Sequence, residues 1–447
     1  MSLIWIDMKR TLHVLTHLAA GVLLLAGNSC SVDDMGEFND LTYGGDGGET
    51  QPLPELTSYE ERMVKDYNLF AMRLLYQMNE QSTDLNHQSL RNITISPLSL
   101  QLALGMMENG MSDAVLHALS VNLYSGVGSW NVNQLCTKLY NRFSCRSDGT
   151  NATLGTSLWV QSGFEINPYF LDEAKQYFNA RVSYVDFVND TVQTKSYIQN
   201  WADMETEGMT KDFRIPMDKN CRMMLLNTAT WHADWATPMK RLQDNGFFVP
   251  FFGPATHVPI METLASVAYH MDEKYNTAYI PLAEGTFMMT LHVPTGWNVH
   301  EFLHDVAFGN VNIAPDEETV RRMVRLPNFV IGSCEDLKAP LYQLGESDPA
   351  QYDGLKRMFD DADAFNGINE NIGLDNFTEY GYITVNERGV YAGAAAEPKT
   401  VEQAEITSSY TPFNIMGPFV YTISETETGV ILFAGLVTHL GEPIADD

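Results

Sequence analysis

Five of the six residues from Ala392 to Glu397 carry one side-chain carbon or none: Ala392, Gly393, Ala394, Ala395 and Ala396. Such a run packs poorly and offers no group for binding chemistry, yet it slides into a narrow gap between strands without steric objection. Just before it, Tyr380, Tyr382, Ile383 and Val385 surround Thr384 in a strand-like pattern of aromatic and β-branched types. Two uses fit the small residues, a flexible Gly/Ala linker near the C-terminus or a segment shaped for insertion between strands. The sequence on either side has to choose between them.

Composition bounds the choices. A chain of 447 residues with 45% hydrophobic and 19% charged content is that of a soluble globular protein with ample length for a core. The formal charge of −30 argues against nucleic acid and sulfated polysaccharide as partners, because both need clustered Lys and Arg. It suits a secreted protein kept soluble by self-repulsion. No two of the cysteines have the short paired spacing of a zinc site, and the eleven histidines form no motif with a nucleophile or metal. No metal, cofactor or catalytic residue is therefore expected, and the chain does not read as an enzyme.

The N-terminal residues read as an export signal spanning 1–29. Lys9 and Arg10 form a basic region, with Met8 as the start ahead of them, and Leu18 to Ala26 is an apolar stretch too short to span a bilayer. Gly27, Asn28 and Ser29 then lead to Cys30. The pattern resembles a bacterial lipoprotein signal with Cys30 as the lipidated first residue. An ordinary cleaved signal is the alternative, since Asn28 is unusual so close to the cut. Residues 30–57, with Asp33, Asp34, Glu37, Asp40 and the Gly44–Gly48 region, read as a flexible acidic tether. Acidic residues after the cysteine resemble surface-export signals of some Gram-negative lipoproteins. The expected location is the outer membrane or cell surface, or otherwise the secreted fraction. The pairing of Cys136, Cys145, Cys221 and Cys334 stays open.

From residue 58 to 447 the chain reads as one domain without linker or repeat. Met63, Tyr67, Phe70, Leu74 and Met78 predict a helix near Glu60 to Met78. Ile93 to Ile95 is a short strand, Ser96 a natural N-cap and Pro97 a first helical residue. The helix that follows is apolar nearly all round and should be buried. Ile198-Gln199-Asn200-Trp201 opens another helix, and Met223 to Trp231 is a strand buried on both faces. Arg325 to Ile331 predicts one further strand, and Asp336 caps a later helix. Helices gather in the first half and strands in the second, which predicts an α+β fold.

Read in order, these landmarks resemble the serpin family over roughly Ser58 to Pro443. They are Ile95-Ser96-Pro97-Leu98-Ser99, Ile198-Gln199-Asn200-Trp201, Leu226-Asn227 leading to Trp235, Leu326-Pro327-Asn328-Phe329, Asp336-Leu337-Lys338, Phe365-Asn366-Gly367-Ile368, Val385-Asn386-Glu387-Arg388-Gly389 and Phe433-Ala434-Gly435. The resemblance implies three β-sheets wrapped by about nine helices, a main sheet one strand short, and an exposed reactive loop. It also implies a suicide-substrate mechanism in which a protease cuts the loop, forms an acyl-enzyme, and is trapped as the loop inserts into the main sheet. The implied partner is a target protease met by a monomer, with membrane contact only through the lipid anchor.

Residue by residue, the resemblance makes Glu387 and Gly389 the hinge glutamate and glycine. Val390, Ala392, Ala394 and Ala396 would alternate onto the buried face, with Gly393 and Ala395 between them. Ser96, Ser99 and Asn227 match the polar cluster under the main sheet, and Trp235 the tryptophan where the loop first enters. Three departures stand out. Glu379 aligns where the family usually has histidine, Pro398 falls inside the segment that would insert, and the loop from Gly389 to Pro418 is a few residues longer than usual. Counting from Gly389 places the reactive bond at Gln403–Ala404, and counting back from Pro418 places it at Thr407–Ser408; the hinge count is preferred. The surrounding Thr400 to Ala404 suits elastase-like serine or papain-like cysteine proteases. The alternative is a non-inhibitory serpin-fold module whose loop is cut without trapping, which Pro398 and Glu379 favour.

Overall fold

The computed structural model describes residues 2–7, 53–83, 91–123, 128–144, 150–206, 215, 217, 219–244, 246–251, 253–269, 274–313, 318–347, 349–370, 372–392 and 410–441. The apolar run Ser2–Asp7 is strand β1. Thr57 starts helix α1 (Ser58–Glu80) through a capping box, its hydroxyl accepting from Glu60 N at 3.3 Å while Glu60 accepts from Thr57 N at 2.7 Å. Strand β2 (Ile93–Ile95) feeds α2 (Pro97–Glu108), whose every residue is buried. Then come α3 (Asp113–Leu123), α4 (Ser129–Ser144), β3 (Asn151–Gln161), α5 (Pro168–Phe178), β4 (Arg181–Val185), α6 (Thr191–Glu205) and β5 (Cys221–Asp234).

Strands dominate afterwards: β6 (Lys240–Arg241), β7 (Gly246–Phe248), β8 (Thr256–Val258), β9 (Ile260–Tyr269), β10 (Tyr275–Leu282) and β11 (Phe287–Pro294). Helix α7 (Val299–Ala307) precedes β12 (Val320–Pro327) and β13 (Phe329–Asp336), and α8 (Lys338–Ser347) and α9 (Pro349–Asp360) precede β14 (Gly373–Val385). The chain continues through β15 (Gly389–Ala392), β16 (Pro412–Asn414), β17 (Phe419–Glu425) and β18 (Ile431–Val437). The expected α+β fold is present, with nine helices and three sheets among the described residues.

Two elements differ from expectation. The strand expected over Arg325 to Ile331 is two strands, because the chain changes sheets at Asn328. Pro327 pairs with Ile260 in one sheet and Phe329 with Val385 in another, and Asn328 N donates to Pro259 O at 2.8 Å at the crossing. Helix α6 starts seven residues before Ile198, at Thr191, where Asp190 accepts from Gln193 N. The apolar residues Ile198 and Trp201 lie mid-helix, where Trp201 packs against Trp159 of β3 at 6.4 Å between ring centres. The expected cap at Asp336 is in place, its carboxylate accepting from Lys338 N at 2.9 Å.

The seven-stranded main sheet runs β13, β14, a shared central position, β5, β3 and β4. Two short strands occupy that central position end to end, each antiparallel to both β14 and β5. The upper one is β15, with Ala392 opposite Ile383 and Trp231. The lower one is β1, with Ser2 opposite Glu379 and Asn227, and Asp7 opposite Gly373 and Cys221. A sheet one strand short was expected; instead only the rows of Thr228, Ala229 and Thr230 lack a central strand. A nine-stranded sheet (β16, β12, β9, β10, β11, β17, β18, β2, with β6 on β9) packs behind it, and β7 pairs with β8. Helix α2 lies between the two large sheets in one continuous apolar core.

Candidate functional site in the cleft of the main sheet

The candidate hinge is built by close backbone approach. A Cβ on Gly389 would stand 2.2 Å from Ala233 O, so only glycine lets β15 lie this near β5. Asn386 shapes the turn before it, its side-chain oxygen accepting from Arg388 N at 2.9 Å and Gly389 N at 3.2 Å. Trp235, the residue after β5, holds the same turn, its indole N–H donating to Asn386 O at 2.7 Å and its backbone N to Arg388 O at 2.9 Å. Glu387 accepts from the Asn328 amide at 3.1 Å, and its other oxygen lies 3.6 Å from Arg241. Val390 and Ala392 are fully buried on the core face, and Tyr391 stacks on His232 across the opposite face.

Lower down, the polar cluster ties both walls of the cleft to the first turn of α2. Ser96 N donates to Glu379 at 2.6 Å on the β14 wall. Ser99 Oγ donates to Asn227 at 2.7 Å on the β5 wall, and the Asn227 amide donates onward to Thr156 of β3 at 2.9 Å. Ser96 Oγ donates to Leu432 O at 2.9 Å, fixing the helix to the sheet behind. Each wall thus has its own anchor. Beneath the open rows lies a space of about 10 Å³, lined by Ser96, Leu98, Ala229, Thr230, Trp231 and Phe433 among others, about the size of one water.

The structure therefore brings Ser96, Ser99, Asn227 and Glu379 together, and separately gathers Trp235, Glu387 and Gly389 around the hinge. Gly393, Ala394, Ala395, Ala396, Gln403, Ala404 and Cys30 lie outside the described residues, as does Cys145. Cys136 and Cys221 are buried thiols and Cys334 an exposed one. Sequence reasoning named Asn386 and Asn328 only as parts of family landmarks and gave neither a role, although an Asn two residues before Arg388 is a readable side-chain turn. It missed Arg241 and His232, which carry no local signal and meet this turn only through the fold.

Glutamate in the cluster has an electrostatic consequence. Burial pushes the Glu379 carboxyl up to about 7, with Glu335 directly across the β13–β14 ladder pushing the same way and the Ser96 N–H opposing. Burial also raises Glu335 to about 7 despite Arg91 at 2.7 Å, because desolvation outweighs a partner that stays half exposed. Glu108 in α2, with both oxygens buried, rises to about 8. All three bind protons more tightly folded than unfolded. Their stabilisation is complete below the usual carboxylate value of 4.5 and is lost as pH rises through about 7 to 8. Glu379→Gln keeps an acceptor for Ser96 N and removes one of the three titrations. Denaturant midpoints at mildly acidic and mildly alkaline pH should show the wild type losing up to about 3 kcal/mol more than the variant. Equal losses would show that Glu379 does not titrate in the fold.

A parted sheet with a short strand in its upper half, above a polar cluster anchoring both walls, is the arrangement of the class that the resemblance implied. Comparison places the chain within that class. A profile described as serpin (serine protease inhibitor) matches residues 65–440, and the chain belongs to the serpin family. Human neuroserpin is 25% identical over 78% of this chain and 86% of its own length. An uncharacterized serpin-like protein of Methanosarcina mazei is 22% identical over 83% and 86%. Among solved structures, Serpin48 of the insect Tenebrio molitor superposes with a TM-score of 0.69 at 18% identity, covering 87% of this chain and all of its own. Human thyroxine-binding globulin gives 0.69 at 18% over 86% of this chain. Serpins generally inhibit proteases rather than catalyse reactions, although thyroxine-binding globulin is a non-inhibitory member, and most are secreted or extracellular. Among the described residues no helix is long and apolar enough to cross a membrane.

Proposed function

We propose that this protein is a suicide-substrate inhibitor of proteases, trapping its target as an acyl-enzyme while the cut loop inserts between β5 and β14. The observation that carries this is β15, whose first four loop residues already occupy the central position in the register that insertion would extend. Each further loop residue would step one row down β5. Ala394 would face Ala229, Ala396 would face Asn227, and residue 402 would reach Cys221, where β5 ends. A cut after Gln403 would therefore free just enough strand to fill the sheet, which favours Gln403–Ala404 over Thr407–Ser408 as the reactive bond. The target is an elastase-like serine or papain-like cysteine protease. Mixing the protein with a panel of both should give an SDS-stable adduct on a gel. Loop cleavage with no adduct would favour the second reading, a non-inhibitory binding module. Pro398 speaks for that reading, since it would face Leu225 without an N–H for the ladder.

Cys30 is proposed as the lipid anchor, holding residues 58–447 at the cell surface by the acidic tether. Cys30→Ala should release the protein from membranes of its native host into the soluble fraction. Unmodified residue 30 by mass spectrometry in the wild type would exclude the anchor.

A further inference from the structure

One pair of histidines does have the spacing of a metal motif, although the sequence reading found none among the eleven. His300-Glu301-Phe302-Leu303-His304 puts two imidazoles four residues apart on one face of α7. That face packs on α1, where the centre of the Tyr76 ring lies 5.6 Å from that of His300 and 5.7 Å from that of His304. One turn further along α1 comes Glu80, whose Oε1 lies 3.4 Å from His300 Nε2. Two ligands of a tetrahedral zinc, each about 2.0 to 2.2 Å from the ion, stand about 3.3 to 3.5 Å apart. His300 and Glu80 already have that separation.

The other ring nitrogens are provided for as well. Asn79 is fully buried and its amide nitrogen lies 3.2 Å from His300 Nδ1, while its Oδ1 has no hydrogen-bond partner among the described residues. Turning that amide over would let the orphaned oxygen accept the Nδ1 proton of a metal-bound imidazole. Asp305 lies 3.4 Å from His304 Nδ1 and is itself held by Lys274 and Asn310, each at 3.2 Å. Both imidazoles can thus keep a proton on Nδ1 and offer Nε2 as the ligand. Glu301 is engaged elsewhere. Its carboxylate accepts from the Asn298 amide at 3.1 Å and its N–H donates to Asn298 Oδ1 at 3.1 Å, so the general base that this motif supplies in metalloproteases is missing.

We infer that His300, His304 and Glu80 form a site for a divalent ion of the zinc class, with the fourth position left to water. Among the described residues no three such side chains are already closed into a metal site. The ion completes it by taking the place of the proton on His300 Nε2. Its role is to clasp α1 to α7, and the site stands whether or not the loop traps a protease.

The test titrates the processed chain from Cys30, without an affinity tag, with zinc chloride by calorimetry and with cobalt chloride by visible absorption. One ion per chain is expected from each, cobalt showing the intense bands of four-coordinate geometry. Asp305→Asn should weaken zinc by about tenfold or more. His304→Ala and Glu80→Gln should weaken it further, and Glu301→Gln should bind as the wild type does. The His304 side chain is 45% exposed, so its removal should leave the fold intact, and circular dichroism of each metal-free variant checks this. No binding by the wild type up to about 100 μM zinc would overturn the inference. So would wild-type affinity in both His304→Ala and Glu80→Gln, because the ion would then sit elsewhere.

Discussion

Ala394→Glu is expected to turn the proposed inhibitor into a plain substrate. Ala392 pairs with Trp231 on the core face of β5, so on insertion position 394 would fall opposite Ala229 on that same face. The space waiting there is about 10 Å³ and mostly apolar-lined. A carboxylate driven into it has no cationic partner among the described residues lining it, and such a charge costs about 3 to 5 kcal/mol. That is a factor of roughly 200 to 5,000 in the rate of the step it opposes. Trapping is a race between insertion and hydrolysis of the acyl-enzyme, so the slower insertion should lose. The variant should be cleaved at the wild-type rate, give little SDS-stable adduct, and show a sharply raised stoichiometry of inhibition. Unchanged stoichiometry would mean that residue 394 never enters the sheet.

Much of this site could be read before any coordinates because its parts are locally encoded. Ser96 followed by Pro97 announces a capped helix, and the buried strand ending in Trp231 announces the wall of a sheet. Gly389 and the alanines announce a backbone that must come close to another. What escaped the sequence is what only the fold brings together. Asn328 reaches Glu387 because the chain changes sheets there, and a single strand from Arg325 to Ile331 hid that crossing. Glu379 stood out as a departure, but its tie to Ser96 N and its place opposite Glu335 depend on strands far apart in the chain. Residues 2–7 were read with the export signal on composition, and a strand of six apolar-rich residues carries no mark of its distant partners.

The central claim is that the main sheet is short of its final strand and gains stability by taking it up. The measurement that tests it most directly is thermal unfolding of the processed chain before and after one cut near Gln403. Cutting releases the loop from its lower tether, and about ten residues, 393 to 402, can then extend β15 down the cleft. At about 1 kcal/mol of net stabilisation for each new ladder bond, the gain is roughly 10 kcal/mol, against about 1 kcal/mol forfeited at Pro398. A change of that size in a domain this long corresponds to a rise in melting temperature of roughly 10 °C. The account predicts such a rise, together with slow exchange along Cys221 to Trp231. An unchanged or lower melting temperature after a clean cut would contradict it and leave this chain a serpin that does not insert its loop.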